Sequence, residues 1–334
     1  MKYDIQLMVS VARMYYMDGL KQEEIAKKVE VSRASVSLIL AEAKRQGIVE
    51  IKVRNPLSDH TELSQEIMRN FDLARCVVVP TSNRNTDVLI ELAATRAVDV
   101  FNEVLGIGDR VGIAWGRTCY AFMSNYERKD LIHSNEVIPL VGGSNRNLKR
   151  FQLNEMVRQF AEKLQGTPYF VHAPALAESQ EDYRLYMNSS SMRAISEKWN
   201  SIDLAVVSCG VPPVTTEFNG TEVDASRFGP DVAADCLPIG DICARYFDIH
   251  GRFITADITQ RIIGISADSL RHVDTVLAVV GGVEKAYSTL GALRTGIIDI
   301  LVIDEQTARA VLESFRRDEQ RGLSDDIQAL FRAS

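Results

Sequence analysis

Three short stretches pair glycine with a cation or a hydroxyl, the makings of an anion cradle. Gly116-Arg117-Thr118 follows the apolar run RVGIAW (110–115) and precedes a helical stretch. Backbone N–H groups at a helix start, a guanidinium and a hydroxyl together suit a phosphate or carboxylate. The run EVIPLVG (136–142) leads into Gly142-Gly143-Ser144-Asn145, a loop where backbone can approach a ligand closely. The run TVLAVVGG (275–282) ends in Gly281-Gly282, and Lys285 follows at a helix start, where an ammonium reaches a phosphate as a point charge. One glycine after one strand is ordinary turn geometry. Three such loops on one sheet edge point to an anionic ligand. None has Walker A or GxGxxG spacing, so no nucleotide fingerprint is present.

A second chemistry lies in residues 20–46. Arg33, Ser35, Ser37, Lys44 and Arg45 form a cationic, hydroxyl-bearing face on an otherwise acidic chain. Such a face suits base edges and phosphates in a major groove. Gln22 and Ser32, each at a helix start, join it as candidate DNA contacts. A third set has the side chains for proton transfer: Asp241, Asp248, Asp257, Glu284 and His172. Aspartate in a loop is usually a turn former, so this set favours catalysis only weakly.

The elements that position these groups can be read from periodicity. Ile25, Ala26 and Val29, then Val36, Ile39, Leu40 and Ala43, put apolar stripes on two short helices. Ser32 sits where the second helix needs an N-cap. Position 30 calls for a left-handed backbone; it is Glu30, at a cost of about 1 kcal/mol against glycine. Ile5, Met8, Val9, Ala12, Tyr15 and Tyr16 predict a preceding helix that packs on the hairpin, with Gly19 as its stop. IVEIKV (48–53) alternates as a half-exposed strand, a small wing. Residues 60–71 predict an amphipathic helix with Leu63, Ile67 and Phe71 on one side.

Beyond residue 75 the pattern changes. Apolar runs at 76–80, 110–115, 136–142, 168–174, 204–210, 275–282 and 299–304 alternate with helical stretches such as 86–105, 152–164, 284–294 and 305–317. That alternation predicts an α/β domain with a Rossmann-like parallel sheet covered on both faces, its ligand at the carboxyl ends of the strands. The expected division is 1–56 for DNA binding, 57–75 as a linker helix, and 76–334 for effector binding and oligomerisation.

Charge is unevenly spread. The net charge is −7, yet residues 1–56 carry ten basic against seven acidic side chains. A weakly basic head on an acidic body suits specific DNA binding without non-specific clinging. The cysteines Cys76, Cys119, Cys209, Cys236 and Cys243 have no metal-ligand spacing and read as small apolar residues in a reducing cytoplasm. No cofactor, metal or membrane span is expected.

The stretch VARMYYMDGLKQEEIAKKVEVSRASVSLILAEAKRQGIVEIKV resembles the N-terminal domain of the SorC family of sugar-responsive bacterial transcriptional regulators. VGIAWGRT, IPLVGG, QLNEMVRQFAEKL, LPIGDICARYFD, GGVEKAYSTLGALRTG and IDILVIDEQTA are similar to its effector domain. The resemblance implies a winged helix-turn-helix followed by a sugar-phosphate-isomerase-like domain. It implies double-stranded operator DNA and a phosphorylated sugar or related metabolite as partners, and a homo-oligomer, dimer or tetramer. By motif, Gly116, Arg117 and Thr118 resemble the phosphate loop, Gly142 and Gly143 the second ligand loop, Asp241 a hydroxyl-binding residue, and Lys285 the phosphate-holding lysine. Two departures stand out: Leu38 occupies a position where the family often has Arg, and Glu30 replaces the usual turn glycine. The tail from about residue 314 runs past the usual end. A sugar-phosphate isomerase or deaminase with a DNA-binding head is the alternative.

Overall fold

A computed structural model describes residues 3–49, 62–127, 134–143, 152–211 and 237–321. The chain divides into two compact units, Met1–Pro56 and Leu57–Ser334.

The first unit is built from α1 (Ile5–Tyr16), α2 (Gln22–Lys28) and α3 (Arg33–Arg45). Met8, Val11, Ala12, Ile25, Ala26, Val36, Ile39, Leu40 and Ala43 form its core. The stripes expected on α2 and α3 are therefore the buried ones. On α1 the expected Met8 and Ala12 pack inward, joined by Val11, while Ile5 and Val9 are about half exposed. The helix carries apolar residues on two faces, and only one can meet α3. Between α2 and α3, Glu30 is left-handed at φ 52°, and Val31 N–H closes the turn on Ala26 O at 3.0 Å. Ile48 and Val49 pack on this core; the remainder of the expected wing lies outside the described residues.

The second unit opens with α4 (Glu62–Phe71) and β1 (Arg75–Val79). The helix expected to link the domains buries Ile67 and Phe71 in this unit's core, its Phe71 ring 5.2 Å from Phe315. Then follow α5 (Thr86–Val104), β2 (Arg110–Ile113), α6 (Arg117–Asn125), β3 (Glu136–Pro139), α7 (Leu153–Leu164) and β4 (Thr167–Pro168). After them come α8 (Gln180–Asn188), α9 (Ser190–Trp199), β5 (Leu204–Val207), β6 (Gly240–Ile242) and β7 (Arg245–Phe247). The chain continues through α10 (Asp257–Gln260), α11 (Ala267–Arg271), β8 (Thr275–Val280), a 3-10 turn (Val283–Lys285), α12 (Ala286–Arg294), β9 (Ile300–Asp304) and α13 (Glu305–Arg321).

Seven strands form one sheet in the order β1-β9-β8-β5-β2-β3-β4, every pair parallel. Each of the seven expected runs supplies one strand. The central ones are buried along their length, as strands covered on both faces must be. The run expected at 168–174 is cut to Thr167–Pro168, and pairing resumes at an isolated Gly143–Pro174 bridge. Sequence order climbs from β2 to β3 to β4 in one direction and from β5 to β8 to β9 in the other. The crevice between β2 and β5 is thus a topological switch point, where such sheets place ligands.

The helix that begins at this crevice is firmly seated. Phe122 of α6 packs 5.2 Å from Phe101 of α5 and 5.6 Å from Phe160 of α7. Tyr126 closes the cluster 5.2 Å from Phe160. Removing one such ring costs about 3–5 kcal/mol, so the start of α6 is held by packing far from any ligand.

Candidate ligand cavity and DNA-reading face

The switch-point crevice opens into a cavity of ≈ 90 Å³. Ala114, Trp115, Gly116, Arg117 and Thr118 line it from the end of β2; Ser208, Cys209, Gly210 and Val211 from the end of β5; Glu284 and Lys285 from beyond β8; Asp241 and Cys243 from the β6–β7 ribbon. Five expected ligand residues, Gly116, Arg117, Thr118, Asp241 and Lys285, meet here.

Gly116 precedes α6 at φ 111°, a conformation other residues rarely adopt, and no side chain caps this helix start. Gly116, Arg117 and Thr118, at this start of the helix, line the cavity at the positive end of the helix dipole. Lys285 sits across from them, 9% exposed. Its Nζ donates to Thr118 Oγ1 at 3.0 Å and Ser208 Oγ at 3.2 Å. Burial pulls its pKa below the usual lysine value, against the pull of nearby Cys209, Cys119 and Glu284. A cation whose hydrogen-bond partners are neutral hydroxyls gains strongly from an arriving anion. Arg117, at the cavity wall, lies 3.5 Å from Asp87.

Asp241 is placed by the ribbon. β6 and β7 pair antiparallel, and the two residues between them, Cys243 (φ 52°) and Ala244 (φ 62°), are both left-handed. A two-residue hairpin turn demands this, and Asn-Gly usually supplies it; non-glycine residues there are strained. The turn aims Ala244 N–H at Asp241 Oδ2, 2.9 Å away. Gly210 faces the same carboxylate, and a Cβ there would collide with Asp241 Oδ1. Burial pushes the Asp241 carboxyl up to about 6, opposed by the Ala244 N–H and by Lys285.

Ser208, Cys209, Gly210, Trp115 and Cys243 were not anticipated. The glycine closing LAVVSCG resembles the other strand ends and was the available signal. The three thiols Cys119, Cys209 and Cys243 are buried, and desolvation holds Cys119 and Cys209 up at about 12. They are inert apolar packing, as expected of them.

Gly142 and Gly143 do not reach this cavity. A Cβ on Gly142 would collide with the Pro174 backbone, so this glycine serves close packing of two chain segments. Gly143 lines a separate cleft with His172, Glu178, Asp182 and Tyr186. Ser144 and Asn145 lie outside the described residues. Among the proton-transfer candidates, Asp248 is fully buried and accepts from Arg252 Nε at 2.6 Å, and Asp257 pairs with Arg261 at 3.0 Å. Only Asp241 and Glu284 line the cavity. Among the described residues no cluster of His, Cys, Asp or Glu suits a metal ion, and no helix is long and apolar enough to cross a membrane.

In the first unit, α3 presents Arg33, Ser37, Lys44 and Arg45 to solvent. Ser32 is its N-cap: its Oγ accepts from Ser35 N at 3.0 Å and lies 2.8 Å from Ser35 Oγ. Both hydroxyls are thus engaged in holding the helix start. Arg45 Nε donates to Glu42 at 2.8 Å, and that guanidinium holds the Glu42 carboxyl down at about 2. Arg33 lies 3.5 Å from Glu23 with both side chains more than half exposed, so a phosphate can displace that pair. Lys44 lies 5.8 Å over the Tyr16 ring. Gln22 opens α2 half-buried, beside Lys21, whose N–H donates to Glu24 at 2.8 Å.

Residues 55–313 match the family described as "Putative sugar-binding domain". The sorbitol operon regulator of Klebsiella pneumoniae is 26% identical over 311 residues, 93% of this chain and 98% of that one. The deoxyribonucleoside regulator of Bacillus subtilis (strain 168) is 28% identical over 309 residues, 92% of this chain and 97% of that one. The crystal structure of the full-length sorbitol operon regulator SorC from Klebsiella pneumoniae superposes with a TM-score of 0.78, covering 93% of this chain and all of the other. The chain belongs to the sugar-binding-domain family of SorC-type transcriptional regulators.

Proposed function

We propose that this regulator senses a phosphorylated sugar in the switch-point cavity and acts as a homo-oligomer on double-stranded operator DNA in the cytoplasm. The observation that carries the phosphate is Lys285, buried between two neutral hydroxyls and opposite the uncapped start of α6. The phosphate takes the N–H groups of Gly116, Arg117 and Thr118 together with the Lys285 ammonium. Asp241 accepts from the sugar hydroxyls. Arg33, Ser37 and Lys44 engage the operator, with Gln22 and Arg45 on the phosphates. Palindromic half-sites call for two copies of α3, hence the oligomer.

Regulation requires only that the effector bind two arrangements of the subunits with different affinity. A hundredfold change in operator affinity corresponds to about 3 kcal/mol. Thermal melting of the purified protein with a panel of sugars and their phosphates tests the cavity's ligand class. The reading expects stabilisation by one phosphate and none by the parent sugar; equal stabilisation by both removes the phosphate.

One observation favours an enzyme instead: a cavity carboxyl titrating at about 6 is poised for proton transfer. The Ala244 N–H and Gly210 hold that group in place, which suits a binding residue. Keto- and aldo-sugar phosphates incubated with the protein should emerge unchanged, and turnover would establish the enzyme.

A further inference from the structure

The outward face of α3 carries an apolar side chain for which electrostatics gives no use. Leu38 is 55% exposed, whereas Val36, Ile39 and Leu40 on the same helix are buried. A single exposed leucine is unremarkable on most surfaces. This one stands on the outward side of α3, with Arg33, Ser37 and Lys44, all exposed, along one flank. With 3.6 residues per turn, Ala34, Leu38 and Ala41 fall within about 60° of one another around the helix axis. Both alanines are exposed too. The face therefore has a ridge of two small residues and one large apolar one, with Arg33 and Lys44 along one side of it. The alanines let the helix backbone sit close to whatever it covers, and the leucine projects from between them.

Base edges in a major groove offer donors, acceptors and one apolar group, the C5 methyl of thymine. Leu38 can neither donate nor accept, so against any other edge it would strand a polar atom without a partner. We propose that Leu38, supported by Ala34 and Ala41, reads a thymine methyl and thereby fixes an A·T pair in each operator half-site. Arg33, nearly one and a half turns earlier on α3 and on the flank of this ridge, supplies a hydrogen-bonded contact. This inference rests on α3 being the reading helix.

The test begins with duplexes enriched from a random pool by the full-length protein. The enriched site is then resynthesised with uracil in place of thymine, one position at a time. At one position per half-site, loss of the methyl should weaken binding about fourfold, the worth of one buried methyl-sized group. Leu38→Ala, an exposed position that leaves the core of the unit intact, should bind thymine and uracil duplexes equally there. Indifference to uracil at every position overturns the inference, as does a Leu38→Ala protein that keeps the same preference. Failure to enrich any duplex overturns the reading of α3 itself, and this inference with it.

Discussion

Lys285 Nζ donates to Thr118 Oγ1 at 3.0 Å, joining two side chains 167 positions apart. One follows β8 and the other follows β2, and they meet because the sheet's order reverses between β2 and β5. The topology brings the proposed anion site together; neither loop makes one alone. On the proposed reading, this buried ammonium is held for a ligand at the expense of the empty protein's stability.

Replacing Lys285 with Met removes that expense and the ligand's main charge partner together. The ligand-free protein should melt higher, by about 1–2 kcal/mol, since burial disfavours the amine's charged form. Binding of a sugar phosphate should weaken by about 1.5–3 kcal/mol, the worth of a hydrogen bond to a charged group. Thermal melts with and without the phosphate read both numbers. A variant that is less stable and binds as well would place Lys285 in the core, with no part in the site.

Asp241 makes stability depend on pH in a defined sense. Its carboxyl titrates at about 6 when folded, against an ordinary 3.8. The folded form therefore holds its proton more tightly than the unfolded one. The resulting stabilisation is complete below the ordinary value and is lost as pH rises through about 6. Wild type should thus gain on Asp241→Asn by up to about 3 kcal/mol as pH falls from about 7 to 4. Paired denaturant titrations across that range give the difference, in which all other carboxylates cancel. A difference that stays flat would mean the group is solvated.

Gly210→Ala separates steric from electrostatic support of the same carboxylate. Its Cβ would occupy the space of Asp241 Oδ1. Displacing that group should cost about 1–3 kcal/mol of stability, the range for overpacking, and should abolish ligand binding. Gly116→Ala meets no neighbour within 4 Å and strains only the backbone. Calorimetric titration should show weaker binding for the second variant and none for the first.

Much of this was legible in the residues. The stripes of α2 and α3, the left-handed turn at Glu30 and the Ser32 cap follow from spacing and local chemistry, so the structure reproduces them. The seven strands were readable because β-branched runs have few other uses. The β6–β7 ribbon was hidden: LPIGDICARYFD turns on Cys243-Ala244, where hairpins normally announce themselves with Asn-Gly. Helices α8 and α9 follow a polar stretch, and α8 buries no residue, so its periodicity gave no signal. Gly142 and Gly116 look alike as strand-end glycines. One is small because the Pro174 backbone crosses it and the other because a helix begins there. That difference is tertiary and no local pattern carries it. Ile5 and Val9 were assigned to the wrong face because α1 is apolar on two sides.

The central claim is that occupancy of the Lys285 cavity controls operator binding by α3. Its most direct test is the affinity of the full-length protein for its enriched duplex, measured with and without the stabilising sugar phosphate, for wild type and Lys285→Met. Wild type should change affinity on adding the phosphate by a large factor, on the order of 100, while Lys285→Met should bind DNA and need about 10–150-fold more phosphate for the same change. Equal operator affinity of the wild type with and without bound phosphate would contradict the account.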